Sequence, residues 1–308
     1  MLFEEITTLK SFDTKLIELG EIQAVEELCK QDLDSSILIA TKLAVAKDFG
    51  FLKAGGVLWG QYNGPELFSL LWIGANVIPF VSPRYLQQPS LLEVVFSEYV
   101  LRTLRGAFGY SSIVGKKQLV DALWAELAGK VPLVRNVRER QPVMRYLHTQ
   151  SLADDPLVSG PHPAGVNPIR YATMDDFEEV LFGSLDMFIS EIGYSPMEVS
   201  PGAYRSRIAE MIQAQRTLVA FNADHKLIFK ADIGARFGGI GQIQGVWVRR
   251  EARNQGIATW AMRQLTSNIS DEFPNGLNLY VNDFNLAAMR LYRKCGFEVV
   301  GEYKTILF

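Results

Sequence analysis

The sequence predicts a two-domain protein of the α/β (α+β) class. Its 308 residues are enough for about two domains. Strand and helix patterns alternate along the chain in an order that is similar in the two halves. Between them, residues 151–168 are rich in proline and glycine and show little apolar periodicity, which is typical of a linker. We therefore expect domains at 1–150 and 169–308, joined by a linker at 151–168.

The C-terminal half contains helices and strands in the order ααβββαβαβ. Apolar residues recur at helical spacing in the helices and alternate in the strands. The predicted elements are helices at 175–192 and 201–215, strands at 217–222, 226–236 and 242–249, a helix at 258–270, a strand at 277–281, a helix at 285–294 and a strand-like stretch at 297–308. The glycines of 237–241 precede a strand, so they predict a hairpin turn instead of a dinucleotide-binding loop. A last strand pair that closes as a hairpin is an alternative for the end of the chain.

The N-terminal half follows a related order from residue 57 onward. Its predicted elements are strands at 57–62 and 67–73 around an Asn-Gly turn, a strand at 76–81, a helix at 91–105, a strand at 111–114, a helix at 116–128 and a strand from 133. The same series runs from 243 to 300. We therefore predict two copies of one fold, although sequence identity between the halves is negligible.

Composition excludes several classes of function. The formal net charge is −3, from 31 Lys+Arg and 34 Asp+Glu, which does not indicate nucleic acid or an anionic membrane as a partner. Cys29 and Cys295 are the only cysteines and lie far apart, which favours a reducing cytoplasm. The apolar region 67–81 is interrupted by Gly74 and Asn76, and it predicts buried strands instead of a membrane span of roughly 20 residues. The N-terminus carries acids where a signal peptide needs bases.

A loop at 253–258 has the residues expected of a diphosphate site. The sequence Arg253-Asn-Gln-Gly256-Ile-Ala258 follows a strand and opens a helix. Gly256 permits close backbone approach, and the N–H groups at the start of a helix attract anions. An ordinary glycine turn explains the loop equally well when it is taken alone.

A row of residues on the helix predicted at 285–294 adds a second signal. Asn285, Ala288 and Tyr292 are spaced by three and then four residues, so they share one helix face. Asn285 is also a good N-cap, and Tyr292 could simply be a half-buried aromatic residue. No metal site is predicted, because His148, His162 and His225 lack ligand spacing.

Residues 169–308 resemble the GNAT acyltransferase superfamily. The resemblance rests on R-x-x-G-x-A at 253–258, on N-x-x-A-x-x-L-Y-x-K-x-G-F at 285–297 and on the element order. Segments 229–235 and 244–248 also resemble a bacterial two-domain subfamily whose N-terminal domain has no assigned activity. The resemblance implies a central mixed, mostly antiparallel sheet flanked by helices, in a tandem arrangement with a degenerate N-terminal copy.

The same resemblance implies acyl-CoA, specifically acetyl-CoA, as the cosubstrate. Its diphosphate would bind the backbone of the loop, its pantetheine would run beside a strand, and one strand N–H would polarise the thioester carbonyl. Asn285 would hold a pantetheine amide, and Tyr292 would protonate the departing thiolate as general acid. The implied cofactor-binding residues are Val246, Trp247, Val248, Arg253, Asn254, Gln255, Gly256, Ile257, Ala258, Thr259, Asn285, Ala288 and Tyr292.

The general base and the acceptor site are less well defined by the sequence. The strand at 242–249 has no carboxylate, so Asp232 is the first candidate base, Glu191 the second and Asp283 the third. Phe188, Glu191 and Tyr194 are candidates for the acceptor site, although the two aromatic residues could equally be core residues.

The leading hypothesis is an N-acetyltransferase that moves the acetyl group directly to a primary amine in a ternary complex. The acceptor would be a small-molecule or peptide amine. The N-terminal half lacks the cofactor loop, because 82–89 contains no glycine, and 123–125 offers no phenol. The alternatives are a non-catalytic acyl-CoA sensor and a tandem transferase that uses both halves to bind a larger amine conjugate.

Overall fold

The computed structural model describes residues 12–103, 109–131, 133–147, 163 and 165–308. The chain divides into two compact units, of which unit 1 comprises residues 1–143 and 300–308 and unit 2 comprises 144–299. The predicted linker lies outside the described residues except for 163 and 165–168. Within the described ranges, no helix is both long enough and apolar enough to cross a membrane.

Unit 1 is built on a mixed sheet with the strand order β1-β2-β3-β4-β5-β12-β6, in which β12 is the last strand of the chain (Glu298–Leu307). Strands β1 to β4 pair antiparallel, whereas β4 and β5 are parallel. Residues of β3, α3, α4 and β12 form its core. The elements that precede unit 2 in the chain are β1 (Asp13–Leu16), α1 (Ile22–Lys30), α2 (Leu33–Phe49), β2 (Gly56–Asn63), β3 (Glu66–Gly74), β4 (Asn76–Val81), α3 (Pro89–Thr103), β5 (Ser112–Lys116), α4 (Lys117–Leu127) and β6 (Asn136–Tyr146). The last residues of β6 belong to unit 2, which begins at Met144.

Unit 2 repeats this element order with one additional short helix. Its strands follow the order β11-β10-β9-β8-β7, with β10 and β11 parallel and the other pairs antiparallel. The elements are β7 (Arg170–Tyr171), α5 (Phe177–Ile192), α6 (Pro196–Val199), α7 (Pro201–Gln213), β8 (Thr217–Phe221), β9 (Leu227–Phe237), β10 (Ile240–Val248), α8 (Ile257–Asn268), β11 (Leu277–Tyr280), α9 (Leu286–Lys294) and β12 (Glu298–Leu307), which extends into unit 1. The prediction of one fold in two copies is confirmed.

Alternation along the strands of unit 2 separates two apolar clusters. Leu218 packs in a cluster with α8 and α9, whereas its neighbour Val219 packs in a cluster with α5 and α7. Successive strand residues point to opposite faces of a sheet, so these helix pairs cover opposite faces. On β9, Phe229 and Ala231 belong to the α8/α9 face. Lys230, which lies between them, therefore points to the α5/α7 face.

The end of the chain forms a single strand, and the hairpin alternative is wrong. Residues 298–307 form one continuous strand, and its portion from Tyr303 to Leu307 pairs antiparallel with β5. Ile306 is fully buried in the core of unit 1. The long-range partner therefore determines the strand, because a hairpin would take Ile306 away from the surface that buries it.

Candidate active site in unit 2

Strands β10 and β11 pair over only two residue pairs. Gly241 and Gln242 lie opposite Leu277 and Asn278 in parallel register, and no registered pairing of these strands follows. The next part of β10 remains paired with β9 on its other side, as far as Val248. One edge of β10 is therefore no longer paired with β11 in the part of the strand that leads to the loop at 253–258. An extended ligand that hydrogen bonds like an added strand could bind at such an edge.

The backbone of β10 also contains a bulge. Gln244 lies opposite Asp232 and Trp247 lies opposite Lys230, so Gly245 and Val246 together face one residue of β9. Gly245 has φ +62°, in the left-handed region that glycine adopts without strain. Bulges of this kind redirect a strand and release backbone groups from the ladder.

The loop before α8 presents backbone donors. Residues 253–256 are exposed, and Asn254 and Gly256 have φ +62° and +78°. The first hydrogen bond of α8 runs from Trp260 N to Gly256 O at 3.1 Å. The N–H groups of residues 257–259 therefore have no partner within the helix, and they lie at the positive end of its dipole. This arrangement fits a diphosphate.

The side chains of this loop fold away from those donors. Arg253 Nε donates to Val248 O at 3.0 Å, and Gln255 Nε2 donates to Glu251 O at 2.8 Å. Ile257 is buried with Ile228 in a small apolar cluster that anchors the start of α8. The loop would therefore recognise an anion through its backbone.

The three residues of the predicted row, Asn285, Ala288 and Tyr292, differ in their exposure to solvent. Asn285 is exposed and its Oδ1 accepts a hydrogen bond from Ala288 N at 3.2 Å, so it is the N-cap of the helix. Ala288 is half-buried. Tyr292 is only 7% exposed and its ring packs beside Phe297, with centroids 6.0 Å apart.

The Tyr292 hydroxyl is a protonated group at neutral pH. Burial raises the pKa of Tyr292 well above its usual range, and the negative charge of Glu191 raises it further. The hydroxyl makes no hydrogen bond within the part of the chain that the structure describes. A neutral phenol with an uncommitted O–H can donate a proton to an anion that arrives beside it.

The first candidate base, Asp232, already has two partners. Its Oδ2 lies 2.7 Å from Lys230 Nζ, and its Oδ1 accepts a hydrogen bond from Thr217 Oγ1 at 2.8 Å. The side chain of Asp232 is 13% exposed. The other two candidates, Glu191 and Asp283, are exposed and make no ion pair within the described ranges.

An aromatic cluster adjoins Glu191 on α5. Phe188 packs edge-on against Tyr194 and Tyr204, with centroids 5.6 and 6.0 Å away. Tyr194 is 46% exposed, whereas Tyr204 is half-buried. Burial raises the pKa of Tyr204, against the effect of Arg207 and with that of Asp232. Phe188 and Tyr194 therefore belong to one cluster on the face that also carries Asp232.

Sequence reasoning missed three residues around the site. Tyr204 had no distinguishing signal within its helix. Lys230 lies two residues before Asp232 on a strand, and this spacing places both on one face. Asp186 interrupts an apolar run of α5 and accepts a hydrogen bond from Trp247 Nε1 at 2.7 Å. A carboxylate in such a run is the signal that could have identified it.

The corresponding region of unit 1 has a different structure. A short 3-10 turn at 83–85 follows β4, and Arg84 in this turn forms an ion pair with Glu66. Proline at two positions of 82–89 removes backbone donors. Among the described residues of the whole chain, no group of His, Cys, Asp and Glu side chains could hold a metal ion.

Two family models match the sequence in separate regions. The acetyltransferase (GNAT) family matches residues 209–297, which include the loop, the bulge and Tyr292. A domain of unknown function, DUF4081, matches residues 56–168. No curated protein sequence matches the chain.

Several solved structures share the fold over nearly the whole chain. An acetyltransferase from the GNAT family of Colwellia psychrerythraea is 14% identical, with a TM-score of 0.55, covering 96% of this chain and 100% of its own. A GCN5-related N-acetyltransferase from Sphaerobacter thermophilus is 17% identical, with a TM-score of 0.55 and coverage of 96% and 94%. A tandem GNAT protein from the clavulanic acid biosynthesis pathway is 12% identical, with a TM-score of 0.57 and coverage of 96% and 98%. At these identities the likeness concerns the fold.

Proposed function

We propose that this protein transfers an acetyl group from acetyl-CoA to a primary amine, because residues 209–297 match the acetyltransferase (GNAT) family model. One observation carries the proposal. Unit 2 combines a loop of exposed backbone donors with a buried, protonated phenol on the helix capped by Asn285. These are the groups that an anionic cosubstrate with a thiolate leaving group requires.

The cosubstrate would bind along β10 and the loop. Its diphosphate would accept hydrogen bonds from the backbone of 253–259. Its pantetheine would lie along the edge of β10 at 246–248, where the parallel pairing with β11 has ended, and Asn285 would hold one of its amides. Trp247 contributes through its backbone, because its side chain is buried against α5. Ala288 leaves room beside Tyr292.

The reaction would proceed by direct attack in a ternary complex. The amine nitrogen forms a bond to the thioester carbon while a base removes its proton, and the N–H of Val246 stabilises the developing oxyanion. The carbon–sulfur bond then breaks. The departing CoA thiolate takes the proton of Tyr292, and the phenolate regains a proton from solvent.

Glu191 is the base that the contacts favour. Asp232 would have to leave both Lys230 and Thr217 before it could accept a proton, whereas Glu191 has no competing partner among the described residues. Its charge also acts on the phenol of Tyr292. Asp283 is exposed in the turn before α9 and is the remaining candidate.

The variant Tyr292→Phe tests the proposal. It removes the acid and keeps the ring, so we expect kcat with a good amine acceptor to fall by about 10²–10⁴ while acetyl-CoA still binds. CoA release is the assay for turnover, and calorimetry measures binding. Tyr171→Phe is the matched control, because Tyr171 lies on β7 and bonds to Glu272 instead. An unchanged kcat and pH profile in Tyr292→Phe would show that another group protonates the thiolate.

A non-catalytic acyl-CoA sensor is the second candidate function. The engaged state of Asp232 and the lack of a carboxylate on β10 favour it. Calorimetry with acetyl-CoA, combined with a turnover screen over a library of amines, separates the two functions. Tight binding without CoA release for any amine would support the sensor.

A further inference from the structure

Lys230 is a charged residue in an apolar interior. It is fully buried in the middle of β9. Its ammonium lies 2.7 Å from Asp232 Oδ2 and donates to Gly245 O at 3.3 Å. Removing an ammonium and a carboxylate from water is unfavourable, and hydrophobic residues of similar volume often replace such pairs without loss of stability. A contribution to stability therefore does not explain why Lys230 and Asp232 are buried here.

The contacts of the pair converge on the bulge of β10. Lys230 binds the carbonyl of Gly245, and a Cβ atom added at Gly245 would lie 2.5 Å from Asp232 Oδ2. Thr217 holds the other oxygen of Asp232 at 2.8 Å and so joins β8 to the same network. Three strands are thereby connected at the place where β10 leaves its regular register.

Val246 is the residue that this network would position. Together with Gly245 it faces a single residue of β9, and it has no registered partner on β11. The direction of the Val246 N–H depends on the conformation of the bulge, because Val246 has no registered partner residue on either β9 or β11. A small error in that direction matters, since a misplacement of about 1 Å can reduce a rate by about a hundredfold.

We propose that Lys230 and Asp232 form a brace that sets the bulge at Gly245 and aims the Val246 N–H at the thioester carbonyl. Both are positioning residues, and the inference rests on the proposed acetyl transfer. It gives Asp232 a role different from that of general base. The brace predicts the same defect when either partner is changed, whereas a base role makes Asp232 the residue that sets the acid limb of the pH–rate profile.

The test compares Lys230→Met and Asp232→Asn with the double variant Lys230→Met/Asp232→Leu. Either single change leaves a buried charge or amide without its partner, so these variants could fail to fold. The double variant removes both charges and is expected to keep its thermal midpoint. We expect its kcat to fall by about tenfold or more at all pH values, with little change in KM for acetyl-CoA. Arg170→Met, which breaks the ion pair with Asp176 elsewhere in unit 2, is the matched control.

Two kinetic outcomes would overturn the brace. One is a folded double variant with the kcat of the unaltered protein. The other is loss of the acid limb of the pH–rate profile in Asp232→Asn alone, which would identify Asp232 as the base.

A readout without turnover separates this inference from the proposed function. Amide hydrogen exchange at 244–248 should become faster in the double variant and stay unchanged in Arg170→Met. If the unaltered protein acetylates no amine but exchange at the bulge accelerates, the proposed function fails while the structural brace stands. If exchange at 244–248 is unchanged in the folded double variant, the brace is wrong whether or not the protein acetylates amines.

Discussion

Gly245 occupies a strand position that a larger residue cannot take without moving charged groups. Its φ of +62° disfavours any residue with a Cβ atom. The space beside it is taken by Asp232 Oδ2 and by Lys230 Nζ, 2.5 and 3.3 Å from where a Cβ would lie. Backbone conformation and space therefore require glycine independently at this position.

Substitution of Gly245 by alanine should destabilise unit 2. The left-handed conformation alone costs about 1 kcal/mol or more, and displacement of the ion pair adds to it, so we expect the thermal midpoint to fall by at least about 2–4 °C. Scanning calorimetry measures the change. Gly202→Ala is the control, because Gly202 lies in the first turn of α7 with open space around it. A midpoint unchanged in Gly245→Ala would mean that the bulge can relax at little cost.

The residues predicted to bind acyl-CoA could be identified from their spacing, whereas Lys230 and Asp232 could not be identified as a brace. Asn285 and Tyr292 share a helix face because they lie seven residues apart. The burial of Lys230 could not be predicted, since a lysine on a strand is normally exposed and only the pairing of three strands encloses it. The engagement of Asp232 was missed for the same reason.

At the scale of elements, one stripe of α5 holds the end of β10 and the start of the cofactor loop. Glu179 lies 2.6 Å from Arg249, and Asp186 accepts a hydrogen bond from the indole of Trp247. Arg253 lies 3.9 Å from the same carboxylate of Asp186. The helix bounds were predictable from apolar spacing, but these polar contacts depend on the tertiary position of α5.

Removal of the Asp186 carboxylate should loosen the loop. In Asp186→Ala we expect KM for acetyl-CoA to rise about three- to tenfold, because the buried indole N–H of Trp247 loses its partner and Arg253 loses a neighbour. Steady-state kinetics measure the change in KM. The difference in intrinsic fluorescence between the variant and the unaltered protein, which contain the same five tryptophans, measures the effect at Trp247. Glu178→Ala, which removes an exposed ion pair with Arg205 on the same helix, should change neither. An unaltered KM would show that the loop is fixed without α5.

At the scale of the whole molecule, the two units are not two consecutive segments of the chain. Residues 300–308 belong to unit 1, although all of unit 2 precedes them in the sequence. The repeated element order was predictable because it follows from local patterns. The assignment of β12 was not, since its partner β5 lies almost 200 residues earlier and local periodicity does not specify long-range pairing.

A substitution at Ile306 tests the assignment of residues 300–308 to unit 1. Ile306 is fully buried in the core of unit 1, so Ile306→Ala should reduce the free energy of unfolding by about 2–5 kcal/mol. Hydrogen exchange should show the loss of protection in residues 56–143. Val300→Ala is the control, because Val300 is half-exposed on the same strand. Loss of protection confined to 144–299 would contradict the assignment.

The position of β12 also has a consequence for synthesis. A ribosome completes residues 1–143 early, but the nascent unit 1 lacks one of its inner strands until residues 300–308 have emerged, after the whole of unit 2. Until then the edge of β5 that pairs with β12 is open, and open strand edges can pair with the wrong partner. A product that stops before residue 300 would retain the residues of the candidate active site, yet its first-made half would be the part left incomplete.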